Sequence, residues 1–172
     1  YLGASAMYTW QFAKAQFIAE KHDWTKFVSM QNHLNLLYRE EEREMIPFCE
    51  DQKIAITPYS PLASGRLTRD WTGDTKRSLT DQTSKMKYDQ TMDQDRVIVE
   101  RVAQVAEELD VKRAQVALAW LMQKEVVTVP IIGATKESHL LDALPAIDVT
   151  LTPEQVAFLE EPYLPHQVVG AR

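Results

Sequence analysis

Short apolar runs alternate with longer amphipathic stretches along the chain. Four runs rich in β-branched or other apolar residues cover residues 1–5, 27–31, 54–59 and 126–132. Runs of this length are typical of buried strands. The first run is followed by residues 7–21, where aromatic residues and alanines recur at helical spacing: Tyr8, Phe12, Ala15 and Ala19. The pattern therefore predicts strands that alternate with helices.

A charged stretch, residues 39–51, follows the second run and predicts a helix. Pro47 lies inside this stretch and is placed to kink the helix, because proline lacks a backbone N–H. We expect the most charged part, residues 39–44, to form a solvated helix face. A polar segment, residues 68–94, follows the third run.

The carboxy-terminal part of the chain predicts four more helices. Residues 96–109 carry apolar side chains at helical spacing. Asp110 is the candidate N-cap of the next helix, whose apolar stripe includes Trp120. A third helix is predicted over residues 137–144. The last opens with Thr152-Pro153-Glu154-Gln155, a capping box with proline at the first helical position.

Alternating strands and helices indicate right-handed crossovers and therefore a parallel sheet. Two α/β architectures fit, an open doubly wound sheet and part of a (β/α)8 barrel. Polar side chains follow each run, and both architectures place their sites at the carboxyl ends of strands. A doubly wound dinucleotide-binding fold would carry Gly-x-Gly-x-x-Gly after its first strand, and this chain has no such string. We therefore predict a partial TIM (β/α)8 barrel with four of the eight strands that closure needs.

Composition narrows the class of protein. The chain has 172 residues, of which 45% are hydrophobic and 26% charged, as is typical of one globular domain rather than a disordered chain. A net charge of −6 argues against a nucleic-acid partner. No apolar run approaches the roughly 20 residues that span a bilayer, so no membrane segment is predicted. The single cysteine, Cys49, allows no internal disulfide and is expected in the core of a cytoplasmic protein.

Residues 58–68 form the most informative motif. The segment leaves the third run through Pro58 and Pro61 and passes Gly65, so its backbone is restricted and turns sharply. Backbone amides from Leu62 to Arg66, together with the charge of Arg66, are suited to hold a diphosphate. The alternative interpretation is an ordinary turn after a strand.

Residues 129–140 form a second, weaker motif. Gly133 allows a ligand to approach the backbone closely, and Thr135 and Lys136 stand at the start of a predicted helix. A helix start attracts anions. Taken alone, this pattern is equally typical of a plain connection between a strand and a helix.

These two motifs, with Ser29-Met30-Gln31-Asn32 and Tyr38-Arg39-Glu40-Glu41-Glu42, resemble the aldo/keto reductase family. The resemblance runs from Gly3 to residues 160–163, and the strings keep their order and spacing. It implies that residues 1–172 are one incomplete domain, strands five to eight of that family's (β/α)8 barrel. Family members depend on NADP(H) and reduce carbonyls to alcohols without a metal.

The resemblance assigns residues of this chain to the nicotinamide half of an NADP site. Ser5 and Gln31 match residues that hydrogen-bond the nicotinamide carboxamide. Tyr59 matches the aromatic residue that stacks on the nicotinamide ring. Four residues fall in the loop that wraps the pyrophosphate: Ser60, Leu62, Ser64 and Arg66.

The adenosine half of the site is assigned in the same way. Thr135 and Lys136 match the pair that meets the 2′-phosphate of NADP. The lysine supplies a point charge where the family often has arginine with its bidentate fork. His139 stands where glutamine is usual, and Asp142 matches an acid that approaches the adenosine end.

The family's catalytic tyrosine, lysine, aspartate and histidine come from strands two to four, which precede this chain. The resemblance therefore assigns no catalytic residue and no metal ligand here. His33, just past Gln31, either touches substrate or is structural. The implied function is NADPH-dependent reduction of a small aldehyde or ketone, with this segment supplying most of the cofactor site. Two alternatives stay open: a non-catalytic NADP-binding regulatory module and an inactive product of a truncated gene.

The predicted sheet also has consequences for partners. Four parallel strands leave unpaired backbone groups at both edges, which invite pairing with another chain. We therefore expect the segment alone not to be a stable monomer. Its expected partner is the missing amino-terminal half-barrel or a second copy, through the exposed sheet edges.

Tryptophan positions give a further set of expectations. Trp10, Trp24 and Trp120 are predicted to pack in the core. Trp71 lies in the polar segment, where it either packs or lines a substrate pocket.

Overall fold

The computed structural model describes residues 1–71 and 80–170. Within them, three parallel strands form a sheet in the order β1 (Leu2–Ser5), β2 (Phe27–Gln31) and β3 (Ala55–Ile56). Ser5 pairs with Gln31, and Met30 pairs with Ile56. The first three predicted strands are therefore present and parallel, and their carboxyl ends lie at one edge of the sheet.

The described residues contain seven α-helices, two of which connect the strands of the sheet. In chain order they are α1 (Thr9–Lys21), α2 (Met45–Asp51), α3 (Gln82–Tyr88), α4 (Met92–Glu108), α5 (Arg113–Met122), α6 (Glu137–Ala143) and α7 (Pro153–Glu160). Short 3-10 segments lie at Glu40–Glu42, Ala63–Thr68, Asp89–Thr91 and Leu144–Asp148. This α/β arrangement with a parallel sheet is consistent with part of a (β/α)8 barrel.

The fourth predicted strand is not a regular strand. Residues 126–132 pair with the third run through isolated parallel bridges, Ile56 with Val127 and Tyr59 with Ile131. Pro58 and Pro130 lack the N–H that a continuous ladder needs. The carbonyl of Pro58 still accepts a hydrogen bond from the Ile131 N–H at 2.8 Å. Residues 126–132 therefore lie parallel to the third run, beside it, but without the continuous hydrogen bonding of a regular strand.

Two expectations about helices are wrong. Residues 39–51 do not form one kinked helix but divide into the 3-10 segment at Glu40–Glu42 and α2. Pro47 lies in the first turn of α2, where a missing N–H removes no intrahelical bond. Asp110 has a φ of +54° in the turn after α4, and Lys112 is the N-cap of α5.

The capping box of α7 is confirmed. The Gln155 N–H donates to the Thr152 hydroxyl at 3.2 Å, and the Thr152 N–H donates to Gln155 Oε1 at 3.0 Å. Pro153 occupies the first helical position. These reciprocal bonds satisfy two backbone donors and define where the last helix begins.

The apolar core joins the sheet to the helices, through Met30, Ile56, Phe12 of α1 and Trp120 of α5. Cys49 is also buried, as expected. Several apolar residues of the strands and of the fourth run remain exposed: Leu2, Val28, Val129 and Ile131. None of the helices in the described residues is both long enough and apolar enough to cross a membrane.

Two of the three tryptophans expected in the core are exposed. Trp10 and Trp24 each expose 63% of their surface, whereas Trp120 exposes 1%. The buried stripe of α1 contains Phe12, and Trp10, two residues earlier, lies on the opposite side of the helix. Trp24 follows the end of α1 and stacks on His22 at 5.0 Å between ring centres.

Candidate functional site

The carboxyl edge of the sheet brings three of the predicted site residues together. Ser5 and Gln31 are paired neighbours, and the Ser5 hydroxyl donates to the Gln31 carbonyl at 2.9 Å. Tyr59 lies on the next strand-like segment, bridged to His33 on one side and Ile131 on the other. The side chains of Ser5 and Gln31 are exposed, and Tyr59 is half-buried. Parallel strands place such residues on one face, where a planar ligand can reach them.

Tyr59 has close neighbours around its ring. The imidazole of His33 lies nearly parallel to it, 5.0 Å between ring centres. The Lys87 ammonium lies 4.4 Å from the ring centre and donates to the phenol oxygen at 3.2 Å. Burial and the charge of Glu41 raise the pKa of Tyr59. The backbone of Gly170 passes so close that a Cβ there would lie 3.0 Å from the phenol oxygen.

His33 lies inside an aromatic cluster. Its ring stacks on Tyr38 at 4.2 Å, and its Nε2 shares a hydrogen bond of 2.7 Å with the Tyr88 hydroxyl. Asn35 donates to the same hydroxyl at 3.1 Å. Burial, and secondarily the Lys87 charge, lowers the pKa of His33 to about 3. His33 is therefore neutral near pH 7 and, being buried, has a packing role in this structure.

The loop after Tyr59 has an unusual backbone. Ser60, Ala63 and Ser64 have φ values of +56°, +48° and +58°, and Gly65 has a φ of +87°. Left-handed conformations at residues other than glycine are strained and cluster at ligand sites. Asn35 supports the first of these positions by donating to the Ser60 carbonyl at 2.9 Å. The predicted pyrophosphate residues Ser60, Leu62 and Ser64 are half-buried along this loop.

Arg66 is engaged by protein groups. Its side chain pairs with Asp89, and its guanidinium lies 5.6 Å from the ring centre of Trp71 and 5.5 Å from that of Tyr88. The Trp71 indole donates to the Arg66 carbonyl at 2.9 Å. Arg66 is only 8% exposed, and its Nε is buried with no hydrogen-bond partner among the described residues. A phosphate here would share the arginine with Asp89.

The predicted adenosine-end residues lie around α6. Thr135, Lys136 and His139 are exposed, and Lys136 is the N-cap residue of this helix. Asp142 pairs with Lys112, which precedes α5. Among the described residues, no hydrogen bond, ion pair or ring contact joins this group to Ser5, Gln31 or Tyr59. A Cβ at Gly133 would meet no atom within 4 Å, so the backbone before the group is open.

The charged stretch at 39–44 is wrongly predicted as a solvated face. Glu40 is buried, and its Oε1 accepts from the Tyr163 hydroxyl at 2.7 Å and the His166 N–H at 2.8 Å. Arg39 donates to Glu160 at 2.9 Å and lies over the ring of Tyr163. The carboxy-terminal segment folds back over Arg39 and Glu40 and shields them from solvent, whereas Arg43 and Glu44 remain exposed.

Metal and thiol chemistry find no support in the described residues. They contain no group of three histidine, cysteine, aspartate or glutamate side chains placed to hold a metal ion. Burial raises the pKa of the Cys49 thiol to about 12. A thiol with such a pKa is a poor nucleophile at neutral pH.

Replacing Glu41 by glutamine is expected to stabilise the protein at alkaline pH. Burial raises the pKa of Glu41 to about 7 from an ordinary value of 4.5. The folded state prefers the protonated carboxyl of Glu41. Its contribution to the free energy of unfolding is therefore complete below about pH 4.5 and is lost as pH rises through 7. Glutamine resembles the protonated form, so the variant should gain about 1–3 kcal/mol at pH 8 and little at pH 5.

Urea denaturation at both pH values measures this difference. Glu50→Gln, at an exposed position of α2, is the matched control and should show no pH-dependent gain. A gain of equal size at pH 5 and pH 8 in Glu41→Gln would show that the buried charge is not its cause.

The chain is similar in sequence to known proteins. A model of the aldo/keto reductase family matches residues 1–163. Versiconal hemiacetal acetate reductase of Aspergillus parasiticus is 41% identical over 98% of this chain and 49% of its own length. An aldo-keto reductase of Fusarium vanettenii is 42% identical over 99% of this chain and 46% of its own length.

A protein of Schizosaccharomyces pombe whose name places it with the aryl-alcohol dehydrogenases is 44% identical, over 99% of this chain and 48% of its own length. The chain thus spans about half the length of the curated relatives it matches. The family model covers all three strands of the sheet and all seven described α-helices. This chain belongs to the aldo/keto reductase family.

Proposed function

We propose that residues 1–172 form the carboxy-terminal half of an NADPH-dependent reductase that converts an aldehyde or ketone to an alcohol. The observation that carries the proposal is the placement of Ser5, Gln31 and Tyr59 at the same edge of the parallel sheet. Ligands of (β/α)8 barrels bind at this edge. Family membership and the reductase names of the relatives support the same chemistry.

The residues present fit a dinucleotide. Ser5 and Gln31 would meet the carboxamide. The half-buried loop at Ser60, Leu62 and Ser64 would meet the pyrophosphate, together with Arg66, whose Nε has no hydrogen-bond partner within the described part of the chain. Thr135 and Lys136 would meet the 2′-phosphate, and His139 and Asp142 the adenosine end. NADPH, when bound, supplies the hydride; this chain binds and orients it.

The rest of the reaction belongs to the half that we propose precedes this chain. That half would bring the proton donor and complete the barrel along β1. Exposed apolar side chains at Leu2, Val28 and Val129 support such a partner, because a closed barrel buries residues of this kind. A second copy of the chain would be the other possible occupant of these edges. We further propose that the protein works in the cytoplasm.

Replacing Tyr59 by alanine tests the proposed cofactor platform. The phenol ring would stack on the nicotinamide, which NADPH and NADH share, so the variant should weaken both cofactors alike. Loss of one aromatic contact costs about 0.5–1.5 kcal/mol beyond buried area, or roughly three- to tenfold in Kd. Fluorescence titration of the complete protein with each cofactor measures the change.

Tyr8→Ala, at an exposed position just before α1, is the control and should leave both affinities unchanged. A Tyr59→Ala protein that binds both cofactors as tightly as the wild type would refute the stacking role. Tight binding without turnover by the complete wild-type protein would instead favour a regulatory NADP-binding module.

A further inference from the structure

Lys87 approaches the predicted nicotinamide platform from a part of the chain that the motifs left unassigned. It lies in α3, and its ammonium contacts Tyr59 in two ways, 4.4 Å from the ring centre and 3.2 Å from the phenol oxygen. A cation over an aromatic face is attracted by the negative centre of the ring. The positive charge is therefore held against the tyrosine.

Among the described residues, no carboxylate forms an ion pair with Lys87. The Lys87 side chain is half-buried. Burial lowers the pKa of Lys87, and the charge of Asp81 opposes this. The nearby His33 is neutral near pH 7, so its imidazole adds no charge of either sign.

We propose that Lys87 makes this site discriminate between the two redox forms of the cofactor, disfavouring the oxidised form. The inference rests on the proposed function, since it requires that a nicotinamide ring stacks on Tyr59. The dihydronicotinamide ring is neutral, whereas the nicotinamide ring of NADP⁺ carries a positive charge. A cationic ring must share Tyr59 with the ammonium or compete with it, and like charges repel in both cases.

This role concerns release of the oxidised cofactor and leaves the overall equilibrium between carbonyl and alcohol unchanged. Repulsion weakens NADP⁺ binding relative to NADPH binding, so the oxidised cofactor, the product form in a reduction, leaves more readily. A unit charge a few ångströms away in a partly solvated site changes an affinity by about three- to tenfold. The matched neutral residue is methionine, which keeps the length of the side chain.

The test compares Kd values of NADP⁺ and NADPH in the complete protein, measured by calorimetry without substrate. In Lys87→Met the Kd of NADP⁺ should fall about three- to tenfold relative to the Kd of NADPH. Lys87→Arg keeps the charge and should keep the wild-type ratio. Lys85→Met is the control on the same helix, because two residues along a helix point to different sides.

The outcomes separate this inference from the proposed function. If the wild-type protein binds neither NADPH nor NADP⁺, the proposed function fails and the inference fails with it. If the wild type binds both and Lys87→Met leaves their ratio unchanged, the inference is wrong while the function stands. A general loss of fold in Lys87→Met would weaken both forms alike, and Lys87→Arg then decides, because a shifted ratio in that variant overturns the proposal.

Discussion

Replacing Trp120 by alanine should lower the free energy of unfolding by about 3–5 kcal/mol. The indole is 1% exposed in the core between α5 and its neighbours. Its Nε1–H donates to Glu160 at 2.8 Å, and the Lys124 ammonium lies 4.3 Å from the ring centre. Alanine would leave a cavity. It would also remove the hydrogen-bond donor to Glu160 and the aromatic ring that Lys124 contacts.

Urea denaturation followed by circular dichroism measures the loss without relying on tryptophan fluorescence. Trp24→Ala is the matched control, because Trp24 is exposed and its stability change should stay within about 0.5 kcal/mol. Equal losses for the two variants would show that the burial of Trp120 is not what stabilises this region.

Replacing Lys136 by alanine is expected to weaken NADP binding by about 1.5–3 kcal/mol, typical of a hydrogen bond to a charged group. NAD binding should hardly change, because NAD lacks the 2′-phosphate. Lys136 is exposed at the start of α6, next to Thr135, so its ammonium is free to reach a phosphate in solution. Titration of the complete protein with both cofactors measures the difference.

Lys136→Arg is the control for charge. Arginine keeps the positive charge and adds a fork that binds phosphate in two places, so this variant should retain the preference for NADP. Equal losses of NADP and NAD affinity in Lys136→Ala would show that Lys136 is not the phosphate ligand.

The fold was largely predictable where local pattern and burial agree. The runs at 1–5 and 27–31 form parallel strands, as expected for short apolar runs that alternate with helical stretches. The last helix begins at Thr152 because its capping box acts within four residues. The run at 126–132 was predicted as a strand, but prolines at 58 and 130 remove ladder donors.

The candidate site was predictable only through motifs. Ser5, Gln31 and Tyr59 come together because parallel strands end at one edge, which the alternation of elements implies. The approach of Lys87 to Tyr59 joins residues 28 positions apart, and no local pattern marks it. The pairing of Arg66 with Asp89 is likewise set by how α3 and the loop after Tyr59 pack.

Sequence alone determined the family, the alternation of strands and helices and the edge at which polar residues collect, because these follow from local spacing. Tertiary structure decided which charged and aromatic side chains are buried. Glu40 lies in the core because Tyr163 and His166 fold back onto it, while Trp10 is exposed because α1 buries its other side. Burial depends on contacts between residues far apart in the chain, and a helix or strand pattern carries no information about which of them will meet.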